Sequence, residues 1–201
     1  MGYYIRVLST SPKCIPFSVM QTALEKTKFT ASLALEDGTS DDWLQVMVGH
    51  NNGDDIACIE RNLVEEDSLA SEELAEFAEE VASCNPASAA EWLTSYFQRV
   101  RCIYAFQVLH GAHRDDGWDV IGAIKTAIWS HAPSIFQADQ EGFTNEDGYH
   151  ILWQFDDSVE GNWWMGVLRN GQWEHFQMDL GNPKHREAFF DGQILSDAKL
   201  A

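Results

Sequence analysis

Asn162-Trp163-Trp164-Met165-Gly166-Val167-Leu168-Arg169-Asn170-Gly171-Gln172-Trp173-Glu174-His175-Phe176-Gln177-Met178-Asp179 is the stretch from which the fold is read. Asn-Gly between two apolar-rich runs is the most favoured two-residue hairpin turn, because both positions tolerate the positive φ of a type I′ turn. Such a turn fixes the pairing by counting outward. Arg169 faces Gln172, Leu168 faces Trp173, Val167 faces Glu174, Gly166 faces His175, Met165 faces Phe176 and Trp164 faces Gln177. Opposed residues share a side of the ribbon. One side therefore holds Trp163, Met165, Val167, Phe176 and Met178, with Glu174 near the tip, and is expected to be core. The other holds Trp164, Gly166, Leu168, Trp173, His175 and Gln177.

Just upstream, residues 149–156 read as a further strand. If Tyr149, Ile151, Trp153 and Phe155 join the core, His150, Leu152 and Gln154 extend the mixed side. The expected patch is His150, Gln154, Trp164, Trp173, His175 and Gln177, with a hole over Gly166. Aromatic walls with a few polar tips are what ligand and protein-binding sites use. The bland alternative is a helix laid over this face, with the polar tips satisfied internally.

Further strands are expected at 3–9, 29–36, 42–50, 55–62, 100–109 and 134–138, separated by turn signals such as Asp37-Gly38 and Asn51-Asn52-Gly53-Asp54. Helices are expected at 18–26, from Ser71, from Pro86, at 118–131 and at 183–190. Leu74, Phe77, Ala78 and Val81 recur at helical spacing and mark the buried stripe of the second. Strands in local hairpins with helices between them predict an α+β fold of mostly antiparallel sheets backed by helices. The segmentation reads as an N-terminal half, 1–84, a linking helix, 85–99, and a C-terminal half, 100–201. Landmarks such as Glu36-Asp37-Gly38 and Glu146-Asp147-Gly148 also allow a duplication of strand-helix-strand-strand-strand-helix halves.

Charge is the strongest compositional fact: 32 acids against 13 bases give −19. From Glu36 to Ala82 fifteen acids meet one base, Arg61, so this segment carries −14 of that total. A field of this sign repels nucleic acid and anionic membrane and attracts basic protein. Asp41, Asp42, Asp54, Asp55, Glu65, Glu66, Asp67, Glu72, Glu73 and Glu76 are the candidate partner-binding carboxylates. Solubility alone is the competing explanation of such acidity. No apolar run approaches the roughly 20 residues of a membrane span. Met1-Gly2-Tyr3-Tyr4-Ile5-Arg6 lacks the basic-then-apolar order of a secretory signal. None of Cys14, Cys58, Cys84 and Cys102 forms a Cys-x-x-Cys pair, and a reduced, cytoplasmic protein is expected.

Motifs of chemistry are sparse. There is no Gly-x-Ser-x-Gly, no phosphate-binding Gly-rich loop with Lys and Ser or Thr, and no basic stripe. His110-x-x-His113, followed by Asp115 and Asp116, is one residue short of the helical zinc spacing, so neither metal nor cofactor is expected. Asp139 and Glu141, in a polar loop running to Gly148, could serve as an acid–base pair. The leading expectation is a non-enzymatic acidic binding protein that engages a basic protein, as inhibitors and immunity proteins do. The alternatives are a small-molecule-binding module built on the aromatic and histidine face, and a hydrolase using the acidic loop 139–147.

Overall fold

Alternating and β-branched runs build strands where the sequence predicts them except at 149–156, and amphipathic runs build the helices. The computed structural model describes residues 2–51, 53–114, 116–195 and 198–201. In chain order the elements are β1 (Tyr3–Ser9), α1 (Phe17–Glu25), β2 (Ala31–Gly38), β3 (Trp43–His50), β4 (Asp55–Leu63), α2 (Leu69–Val81), α3 (Ala87–Phe97) and β5 (Cys102–Val108). A 3₁₀ turn (His110–His113) follows, then α4 (Gly117–Trp129), β6 (Ser134–Ala138), β7 (Gly142–Phe143), β8 (Asn162–Arg169), β9 (Gln172–Asp179), α5 (Pro183–Phe190) and β10 (Lys199–Leu200). The fold is α+β, and no helix among the described residues is long and apolar enough to cross a membrane.

Two compact units emerge, each discontinuous in sequence. The first joins the chain as far as Ala70 to Val100–Ser134; the second joins Ser71–Arg99 to Ile135–Ala201. In the first unit, strands run in the order β2-β3-β4-β5-β1, every neighbour antiparallel. Helices α1 and α4 pack together and against this sheet. Val46, Val48, Ile59, Phe106 and Val7 from the strands, with Met20, Ile121 and Ile124 from the helices, are completely or nearly completely buried. Trp43 closes the core at one end, its indole N–H donating to the Ile15 carbonyl at 2.7 Å. Of the turn expected at 51–54, Asn52 lies outside the described residues; Gly53 takes φ +94° and its N–H donates to the His50 carbonyl.

The second unit contains α3, the β6–β7 hairpin and a sheet of order β10-β9-β8. Every β8–β9 partner is the one obtained by counting outward from Asn170-Gly171. Both turn residues have positive φ, 51° and 76°. Met165, Val167, Phe176 and Met178 are buried, joined by Phe155, Leu180 and Phe189 in one cluster, with Trp153 and Trp163 packed at its margin. Helix α5 contributes Phe189; Asn182 caps it by accepting from the Lys184 N–H, with Pro183 in the first turn.

The strand expected at 149–156 does not form. Only His150 bridges, to Thr144 on one side and in parallel to Met165 on the other. Beyond it the Trp153 N–H turns away to the Asn85 carbonyl, and Trp153 and Phe155 fold against the hairpin core. Arg186 holds this irregular segment. Its guanidinium donates to the carbonyls of Asp157 (3.0 Å), Val159 (2.9 Å) and Leu180, and lies over the Trp153 ring. Arg186→Met leaves those carbonyls without their donor. It is expected to lower the unfolding free energy by about 2–4 kcal/mol. Urea denaturation followed by tryptophan emission measures this, and an unchanged midpoint would contradict the clamp.

Candidate functional site

The mixed face of the β8–β9 hairpin is built row by row. Trp164, Gln177 and Lys199 form one row across β8, β9 and β10, and Gly166 opposes His175 in the next. Trp164 is 37% exposed, with the Lys199 ammonium 5.6 Å from its ring centre. Tyr149 meets Trp164 edge-on at 6.1 Å and lies flat on the His175 imidazole at 3.8 Å. The space over Gly166 is filled: a Cβ there would lie 3.2 Å from the His175 ring, 3.4 Å from Ile151 and 3.5 Å from the Asn145 amide.

Asn145 organises this cluster. It is fully buried, and its Oδ1 accepts from the Asp147 and Tyr149 N–H groups at 3.1 and 3.0 Å. With the oxygen so engaged, Nδ2 is the end that faces His175 Nε2 at 2.9 Å and donates to it. His175 Nε2 is therefore the bare acceptor and Nδ1 carries the proton. Burial holds the imidazole below its ordinary pKa, opposed by the Asp147 carboxylate 3.6 Å away.

Of the six residues expected in the patch, Trp164, His175 and Gln177 share the open part. Trp173 is on the same face but half-buried, its ring meeting Trp92 of α3 edge-on at 5.2 Å. His150 takes the opposite side, against Trp163 (4.8 Å) and Phe155 (5.4 Å). Its bridge to Met165 sets this, because bridged residues share a side and Met165 points into the core. Tyr149 and Ile151 consequently stand where His150 was expected. Gln154 is turned away, donating to Glu80 at 2.7 Å. Asn145 and Tyr149 were missed, although Asn145-Glu146-Asp147-Gly148 is an Asx-turn sequence and carried the signal. Lys199 gave none.

The candidate partner-binding carboxylates divide between the units: Asp41, Asp42, Asp54, Asp55, Glu65, Glu66 and Asp67 belong to the first, Glu72, Glu73 and Glu76 to the second. Asp42 pairs with Arg61 at 2.9 Å, and Asp54 pairs with Arg114. Arg61 is itself buried and also donates to the Trp43 carbonyl. Asp41, Asp55, Glu65, Glu66, Asp67, Glu72 and Glu76 are exposed and make no ion pair among the described residues.

Asp139 and Glu141 sit in the tight turn between β6 and β7, where Gln140 and Gly142 both have positive φ. The polar loop expected through Gly148 is interrupted, since Phe143, Thr144 and Asn145 are buried. His110 and His113 lie on the 3₁₀ turn, with Asp115 outside the described residues. No group of three or more metal-ligating side chains gathers among the described residues. All four cysteines are free. Burial pushes the Cys102 thiol up to about 11 and raises Cys14 and Cys84, which disfavours the nucleophilic thiolate.

Comparison of the chain with protein-family models, with curated proteins and with solved structures finds no match.

His175 makes stability pH-dependent with a definite sign. The unfolded chain binds its proton more readily than the folded one. The contribution is complete above the ordinary histidine pKa of 6.5 and is lost as the pH falls through that value towards the folded one. His175→Gln keeps an acceptor for Asn145 but does not titrate. Its urea midpoint is expected to fall less than that of the parent between about pH 7.5 and about pH 5. Equal slopes for the two proteins would contradict the assigned tautomer network.

Proposed function

We propose that this chain is a non-enzymatic binding protein of the cytosol whose carboxylate surface engages a basic protein, in the manner of an inhibitor or immunity protein. The observation that supports it most is Glu65-Glu66-Asp67. These are three consecutive exposed carboxylates in the connection between β4 and α2, with no ion pair among the described residues. Asp41 and Asp55 add exposed charge to the same unit. Arg61 and Arg114 answer Asp42 and Asp54 instead. Unneutralised like charges cost the folded state self-repulsion, and a cationic partner relieves it while steering its own approach. The same sign argues against nucleic acid and anionic membrane.

A second reading takes the open corner formed by Trp164, His175, Gln177 and Tyr149 as a small-molecule platform. Trp164 is large, half-exposed and braced edge-on, which suits stacking. Ligand-dependent quenching of tryptophan emission that disappears in Trp164→Ala would favour it.

The immobilised protein is expected to retain a basic protein from an extract of its own host at about 50 mM salt and release it at about 500 mM, as screening removes an exposed-charge interaction. The variant Glu65→Gln, Glu66→Gln, Asp67→Asn is expected to bind that protein at least about tenfold more weakly, which corresponds to about 1.4 kcal/mol. No basic protein at low salt, or undiminished binding by the variant, would contradict the reading.

A further inference from the structure

The β2 strand ends the sheet order of the first unit, and β3 is its one strand neighbour among the described residues. Its register shows which backbone groups face outward. The Asn51 N–H donates to the Thr30 carbonyl at 3.3 Å, and the pairing continues without a shift from Ala31–His50 to Leu35–Val46. Bonded and non-bonded pairs alternate in an antiparallel ladder. Ser32–Gly49 and Ala34–Met47 are therefore the mutually bonded pairs, and the N–H and C=O groups of Ala31, Leu33 and Leu35 point away from β3.

Exposed edges are normally blunted by a charge, a proline or a bulge, because otherwise they recruit another strand. Ala31-Ser32-Leu33-Ala34-Leu35 contains neither charge nor proline. The register shifts only beyond Leu35, where Glu36 and Asp37 follow. Leu35 is 37% exposed. Alongside the first half of the edge runs a groove of about 390 Å³, lined in comparable measure by apolar side chains such as Leu24, Phe29 and Leu33 and by polar ones such as Gln21, Glu25 and Thr27. The edge thus offers main-chain bonding, a furrow with apolar spots at Leu24, Phe29 and Leu33 for alternate side chains, and a carboxylate pair at its far end, with Lys26 and Lys28 exposed before its start.

We propose that the free edge of β2 is a strand-addition site for an extended segment of the basic partner, with valine-like side chains over the groove and lysine or arginine beside Glu36 and Asp37. Strand addition takes its affinity from the main chain and its specificity from alternate side chains. The two exposed carboxylates supply the charge selection. This inference rests on the proposed engagement of a basic protein and adds the place and geometry of contact.

The test uses the full chain and amidated ten-residue peptides. One alternates valine and lysine, a second alternates valine and glutamate, and a third is the valine–lysine peptide N-methylated at every second residue along its bonding edge. The valine–lysine peptide is expected to bind and to slow amide exchange at Ala31, Leu33 and Leu35. The N-methylated and glutamate peptides are expected to bind at least about tenfold more weakly. Ala31→Pro removes one outward donor at the first residue of the strand, where proline is tolerated; it should weaken the peptide severalfold, as should Glu36→Gln with Asp37→Asn. Salt-sensitive binding of the valine–lysine peptide that is indifferent to N-methylation and slows exchange elsewhere would overturn the edge site while leaving the acidic-surface reading intact. Equal binding of the lysine and glutamate peptides at the edge would overturn the charge selection by Glu36 and Asp37 and so the edge as the basic partner's site, while the Glu65-Glu66-Asp67 variant tests the partner itself. No binding of the valine–lysine peptide by a protein that still retains its basic partner would also overturn the edge site.

Discussion

Thirteen basic side chains cannot neutralise thirty-two acidic ones, and three of the arginines, Arg61, Arg114 and Arg186, are held by partners that keep them from the rest of the acidic surface. Arg61 is buried and is held there by Asp42 and by the Trp43 carbonyl. Arg114 answers Asp54. Arg186 answers no carboxylate in this network; it satisfies two carbonyls of the irregular segment after His150, Asp157 and Val159, and that of Leu180 just after β9. Glu65, Glu66 and Asp67 have no such partner among the described residues and face water. The acidic surface is therefore set first by composition and then by which carboxylates the arginines answer.

How much was legible in the sequence depended on whether a local rule fixed the geometry. Asn170-Gly171 did so completely: a two-residue turn leaves one register, and the β8–β9 pairs followed from it. The strand 149–156 had no such anchor. Its alternation was real, but alternation gives two faces without saying which is inside. The chain leaves the ladder after one bridge because Trp153 and Phe155 gain more by folding onto the hairpin core. Parity was then set by the bridge to Met165. His150 went to the core side, and Tyr149 and Ile151 took its place.

The same distinction separates the parts of the hairpin face. Trp164, His175 and Gln177 were placed together by counting along one hairpin. The covering of Trp173 by Trp92 depends on a helix about eighty residues away in sequence, and the approach of Lys199 depends on a two-residue strand beyond any local pattern. Asn145 is the intermediate case. Its turn was readable, but its role in fixing the His175 tautomer needed the distance between two side chains thirty residues apart. The result is a corner with a rigid polar floor, one braced aromatic wall and one open side.

Cross-strand rules also explain why β2 differs from the other edge of interest. β10 is two residues long and exposed, a short edge of the kind that resists further pairing. β2 is longer and uncharged through its first five residues. The most direct test of the central claim is zero-length carboxylate-to-lysine cross-linking of the chain with the basic protein it retains, read by mass spectrometry. The account predicts links concentrated at Glu65, Glu66, Asp67, Glu36 and Asp37. Links distributed without preference over all carboxylates, or contact confined to the Trp164 face, would contradict it.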